Sequence, residues 1–178
     1  MKIIFSIAFI VLFNTILAQA SASIIAGVNL PEISMMDLSD NNTITLNAEI
    51  PNDAGKALDL QSVDNSKWIN YTSAIVPGGT SRKIQASISA GSLPPGIELE
   101  LGIGSYFGFG EGVLGISEGI VSLNTMPQTI INGIGGAYTG DGVNNGHQLN
   151  FRLSISDYAQ LDYESVGSVE VTYTLTDN

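Results

Sequence analysis

The segment Ser168 to Thr176 constrains this chain more than any other. Val169, Val171, Tyr173 and Leu175 alternate there with Glu170, Thr172, Thr174 and Thr176. Successive side chains of a strand point to opposite faces, so this run has one apolar and one polar face. The same period recurs at Ile44, Leu46, Ala48 and Ile50, at Ile84, Ala86 and Ile88, at Ile97, Leu99, Leu101 and Ile103, and at Leu149, Phe151, Leu153 and Ile155. Nowhere does a long stretch place apolar residues at the helical spacing i, i+3, i+4, i+7. The chain therefore reads as all-β. Turn signals at Asp40-Asn41-Asn42, Pro51-Asn52-Asp53, Pro77-Gly78-Gly79 and Pro94-Pro95-Gly96 break the runs at short intervals. That pattern predicts a single Ig-like, Greek-key β-sandwich of roughly eight to ten strands.

The first residues read as a cleaved signal peptide, 1–20. Lys2 supplies the positive end, Ile3 to Leu17 the apolar stretch, and Ala18-Gln19-Ala20 a small-x-small cleavage pattern. Ala20-Ser21-Ala22 fits the same pattern, so cleavage after Ala22 is an alternative. The apolar stretch is short of the ~20 residues that span a bilayer, which argues against a stable membrane span. The remaining 21–178 is an ordinary length for one domain. The expected location is the periplasm, the cell surface or the extracellular space. Such a chain without cysteine is stable through packing and hydrogen bonds alone.

The net charge is −11, and becomes −12 once Lys2 leaves with the leader. Phosphate backbones need clustered Lys and Arg, so nucleic acid is excluded as a partner. Catalytic chemistry finds little support. There is no Cys nucleophile, the one histidine, His147, follows a turn, and no Gly-x-Ser-x-Gly elbow marks a serine. A lone turn histidine reads as a solvated or locally bonded side chain. Asp141, Asn144 and Asn145 surround Gly142 and Gly146, but Val143 and Arg152 stand where an EF-hand loop requires oxygen ligands. An irregular surface calcium site stays open beside the plainer Asx-Gly turn. No cofactor and no metal is assigned, and the protein reads as a non-enzyme.

Two stretches invite a binding role. From Gly102 to Gly119 seven glycines are interleaved with Tyr106, Phe107 and Phe109. This is either a bulged hairpin whose rings cover one end of the sandwich or a flexible aromatic contact loop. With Trp68, whose plainer place is the core, these rings are the candidate binding residues of a glycan-binding module. The second stretch is Ile24, Ala26, Val28 and Leu30, which alternate up to Pro31. Proline lacks the N–H a ladder needs, so a strand there ends or lies on an edge.

Trp68-Ile69-Asn70-Tyr71-Thr72, Leu93-Pro94-Pro95-Gly96, Tyr138-Thr139-Gly140 and Val171-Thr172-Tyr173-Thr174-Leu175-Thr176 resemble a group of small exported bacterial β-sandwich proteins. More distantly, the chain resembles subunits of chaperone–usher fimbriae. That resemblance implies polymerisation in which an N-terminal alternating strand completes a neighbour's sheet. Ile24, Ala26, Val28 and Leu30 would form the assembly strand, and Ser168 to Thr176 would be the last strand of the domain. The chain departs from the pattern in having no disulfide pair, and Tyr173 is not next to last. The leading expectation is a secreted or cell-surface structural or adhesive protein that self-assembles, or joins partner subunits, through edge strands. The glycan-binding module is the alternative.

Overall fold

The computed structural model describes residues 23–60, 62–162 and 165–178. The expected leader, 1–20, and Tyr163 lie outside the described residues. Residues up to Leu30 form a unit separate from Pro31–Asn178. Within the second unit nine strands follow in order: β1 Ile33–Leu38, β2 Val63–Ala74, β3 Arg82–Ser92, β4 Ile97–Ile103, β5 Glu111–Ser117, β6 Ile120–Leu123, β7 Gln128–Tyr138, β8 His147–Ile155 and β9 Ser168–Asp177. One turn of 3-10 helix, Tyr158–Gln160, is capped by the Asp157 side chain. No helix of the described residues is long and apolar enough to cross a membrane.

Hydrogen bonding joins the strands into one antiparallel sheet, β6-β4-β8-β2-β7-β3-β9, with β1 added to β2 and β5 to β7. The sheet folds on itself where Thr72 and Ser73 of β2 pair with Tyr138 and Ala137 of β7. One half holds β6, β4, β8, β2 and β1, and the other β5, β7, β3 and β9. From β2 onward the chain crosses to the opposite half at every connection. The all-β, sandwich-like expectation and its strand count match this arrangement.

Alternation decides the faces. In β4, Leu99, Leu101 and Ile103 are buried between half-exposed neighbours, and Leu149 and Phe151 do the same in β8. With Ile69, Ile84, Ile130, Ile131 and Ile134 they make the core. Each such side chain contributes about 1.5–3 kcal/mol when fully withdrawn from water. β2 departs from alternation. Lys67 to Tyr71 are all buried: Ile69 and Tyr71 join the core, while on the other face Trp68 packs against Phe107 and Asn70 donates to the Gly142 and Asn145 carbonyls.

Three sequence expectations are corrected. Gly102 to Gly119 is not a hairpin, because β4 and β5 lie in opposite halves and β5 pairs with β7. The glycines serve the crossing and the close approach. Gly112 has φ +99°, and a Cβ there would sit 2.1 Å from the Gly136 carbonyl oxygen. Ile44 to Ile50 is not a strand. It carries only the isolated bridge of Glu49 to Asp59. His147 is not a solvated turn residue. It begins β8 and is wholly buried. Its Nδ1 stands 3.0 Å from the Gly104 carbonyl oxygen and its Nε2 3.4 Å from that of Leu114. Its Nε2 faces the Tyr71 hydroxyl at 3.2 Å. Burial pushes its pKa below 6.5, against the pull of the Gly104 and Leu114 carbonyls.

A buried arginine ties the strand ends together. Arg82, at the start of β3, donates to the Ile33 carbonyl, to Ser73 Oγ at 3.1 Å, to Asp177 at 3.2 Å and to Glu32. One side chain thus holds the start of β1, the end of β2 and the end of β9.

Candidate assembly edge and aromatic loop

β9 pairs with β3 from Ser168↔Ser92 to Asp177↔Arg82. Glycine permits that length of ladder. At Gly91, φ is +82° and an added Cβ would meet the Ser168 carbonyl oxygen at 1.9 Å. The other edge of β9 has no strand partner among the described residues. Half of its peptide groups therefore face outward, and a strand edge of that kind is a template for a further strand. Valine, threonine and tyrosine fill β9, all residues that favour strands. The usual guards of an edge, lysine and proline, are missing from it.

Beneath that edge lies a cleft of about 1140 Å³. Leu99, Phe151 and Leu153 line it from one half of the sheet, and Val169, Val171 and Tyr173 from β9. Tyr173 stands partly open to the cleft, but its hydroxyl is buried without a hydrogen-bond partner. Burial raises its pKa strongly.

The connector between β1 and β2 borders the same cleft. Its first end is fixed. Ser39 exchanges hydrogen bonds with Trp68 at 2.9 and 3.0 Å, and Asp40 pairs with the buried ammonium of Lys67. The hydrogen bond from Lys67, joined by the Asn42 N–H, holds the Asp40 carboxyl below the ordinary aspartate value. Further along, Glu49 and Asp59 exchange hydrogen bonds of 2.8 and 3.3 Å within the connector, and the Leu58 N–H donates to the Tyr158 hydroxyl at 3.3 Å. Between them Ile44 and Leu46 rest on the core, while Ile50 stays exposed.

The aromatic candidates separate. Phe109 is 92% exposed and Phe107 60% exposed. Trp68 is 7% exposed and lies under Phe107, ring centres 6.1 Å apart. The Phe107 backbone exchanges two hydrogen bonds of 2.9 Å with Gly146, which fixes the loop to the start of β8. Tyr106 turns inward, its ring edge-on to His147 at 6.0 Å and its hydroxyl donating to the Thr139 carbonyl at 3.2 Å. The structure thus leaves two exposed rings in the loop and puts the other two candidates into supporting positions. Tyr138 is a further exposed ring, opposite Glu111 in the neighbouring ladder. Ile24 to Leu30 carries no strand. Alternation supplies a face, but a strand also needs a ladder. No group of three or more His, Asp or Glu among the described residues is placed to hold a metal ion. No protein-family model matches the chain, and neither a curated protein nor a solved structure matches it significantly.

Proposed function

We propose that this protein is an exported, non-enzymatic structural protein of the cell surface that assembles by β-strand addition. The observation that carries the reading is the outer edge of β9, ten residues long and without lysine or proline, above a largely apolar cleft. Adding a strand satisfies peptide groups that otherwise bond only to water, and alternate side chains enter the cleft. The assembly strand is Ile24, Ala26, Val28 and Leu30, the resemblance to fimbrial subunits supplying its role. The test is size-exclusion chromatography with light scattering, and electron microscopy, on the chain from Ser21 with and without Ser23 to Pro31. Ladders or filaments are expected only when the segment is present. A chain that is monomeric at every concentration, with or without the segment, overturns the proposal.

A second reading rests on Phe107 and Phe109, which expose their rings from one loop. Such faces suit stacking against sugar rings, with Trp68 and Tyr106 holding the loop from below. Glycan-array binding that disappears in Phe107→Ala or Phe109→Ala is the expected result under this reading. Binding that survives both substitutions overturns it.

A further inference from the structure

We propose that the sugar taken by the aromatic loop carries a free amino group: the surface around Phe109 and Tyr138 is a site for a cationic hexosamine unit and turns acidic sugars away. This rests on the glycan reading above and adds the chemical class of the ligand.

Charge sets the class. No lysine or arginine occurs from Ile84 to Phe151, a stretch that holds Glu98, Glu100, Glu111, Glu118 and Asp141. Elsewhere Lys56, Lys67, Arg82 and Arg152 are each paired with a carboxylate of the chain. Arg152 takes up Glu100, and the Ser122 hydroxyl donates to Glu98. The carboxylates of Glu111 and Asp141 have no hydrogen bond or ion pair among the described residues, and both residues are exposed. An acidic sugar would meet like charge there. An ammonium supplies the missing counter-charge.

Geometry puts rings beside those carboxylates. Glu111 stands opposite Tyr138 in the ladder of β5 and β7. Residues so paired share a face, with Cβ atoms about 4.5–5.5 Å apart. Gly110 lies against the Tyr138 backbone, where an added Cβ would meet the carbonyl oxygen at 2.0 Å. Phe109 and Glu111 flank that contact in sequence. Asp141 follows Tyr138 by three residues, past the buried Thr139.

The frame beneath the site is already set. The Asn145 side chain donates to the Asp141 carbonyl at 2.8 Å. Gly108 and Gly140 both approach it so closely that added Cβ atoms would meet its Oδ1 at 2.6 and 2.8 Å. From β2, Asn70 accepts from the Gly142 N–H at 3.0 Å and donates to the Asn145 carbonyl at 2.6 Å. The Tyr106 hydroxyl joins the Gly110 N–H to the Thr139 carbonyl. Little ordering therefore opposes binding. A hexosamine matches both parts of the site. The C–H face of its ring suits Phe109 or Tyr138, and its ammonium meets the carboxylates and is drawn to the ring faces. N-acetylation keeps the C–H face and removes the charge.

Isothermal titration with three tetrasaccharides, of glucosamine, N-acetylglucosamine and galacturonic acid, tests this at about pH 6, where amines and carboxylates are both charged. The glucosamine oligomer is expected to bind at least ten-fold more tightly than the acetylated one. That is about 1.4 kcal/mol, the scale of a ring–cation contact with exposed ion pairs. The galacturonic acid oligomer is expected not to bind. Glu111→Gln with Asp141→Asn should bring the two amino sugars within two-fold of each other. Glu118→Gln removes an equally unpaired carboxylate about 24 Å along β5, at about 3.4 Å per residue, and should leave the preference intact. Phe109→Ala should weaken both amino sugars. Equal binding of the two, a galacturonic acid oligomer that binds as well as glucosamine, or a preference that Glu118→Gln lowers as much as the double variant does, overturns the cationic assignment while the glycan reading stands. Binding to other sugars of a glycan array but to none of these three does the same. A folded wild-type protein that binds no sugar at all overturns the glycan reading itself.

Discussion

Arg82 offers a measurement in which two electrostatic effects compete. Its side chain is 4% exposed, while the partner carboxylates of Glu32 and Asp177 are 73% and 67% exposed. Exposed ion pairs contribute only about 0.2–1 kcal/mol each. A buried cation without counter-charge costs about 3–5 kcal/mol. Glu32→Gln and Asp177→Asn should therefore each destabilise by under about 1 kcal/mol, because the remaining carboxylate still neutralises Arg82. The double variant should lose about 3 kcal/mol or more, since only neutral acceptors, the Ile33 carbonyl and Ser73 hydroxyl among them, then face the guanidinium. The coupling between the two sites is thus at least about 1 kcal/mol, above the scatter of additive sites. Arg82→Met removes the cation together with its burial cost. It orphans the acceptors at Ile33 and Ser73, worth about 1 kcal/mol each, and should be milder than the double carboxylate variant. Equilibrium urea unfolding of dilute protein, followed by circular dichroism, measures all four. Additive losses in the double variant, or Arg82→Met as the worst of the set, would show that water reaches Arg82 and that the clamp is not electrostatic.

Two further predictions concern buried polar groups. Tyr173→Phe deletes a buried hydroxyl that has no partner, so the monomer should be unchanged or stabilised by about 1 kcal/mol; a loss above about 1 kcal/mol by urea unfolding would reveal a partner for that hydroxyl. His147 is buried with its pKa depressed below 6.5, so the unfolded chain takes up a proton that the fold resists. Its contribution is complete above about pH 6.5, declines by up to about 1.4 kcal/mol per pH unit as the pH falls, and levels off below the folded-state value. Urea midpoints from pH 7.5 to 5 should therefore fall less steeply in His147→Gln than in the wild type, and parallel curves would refute the assignment.

Much of the fold was legible because strands half-covered by a neighbouring layer must alternate. β4, β8 and β9 do so cleanly. β2 was legible only as a strand around Trp68. Its buried run of Lys67, Trp68, Ile69, Asn70 and Tyr71 reflects loops far along the chain, at Phe107 and at Gly142 to Asn145, that cover its second face, which no local pattern encodes. The polar interior was hidden for the same reason. Arg82, Lys67 and His147 look like surface residues in sequence, and each is buried by partners far along the chain: Asp177, Asp40 and Gly104. In the aromatic loop the glycines marked irregular backbone, but not which rings would turn inward. Tyr106 turns in because its hydroxyl finds Thr139 and its ring finds His147. Phe107 and Phe109 have no polar atom to draw them down.

The two failures of strand prediction carry the most information. Ile24 to Leu30 and Ile44 to Ile50 alternate as well as β4 does, yet neither forms a strand. Period two reports that a segment has an apolar face; it says nothing about whether a backbone edge is there to pair with it. β4 has β6 and β8 on its two sides, so its pattern and its ladder coincide. The two unladdered segments have the pattern alone, and β9 has the converse, an edge without a partner. One edge accommodates one added strand. Of the two segments, Ile44 to Ile50 rests Ile44 and Leu46 on the core and bridges only to Asp59 of its own connector. The local pattern is the same in both, and a strand needs the ladder as well as the pattern.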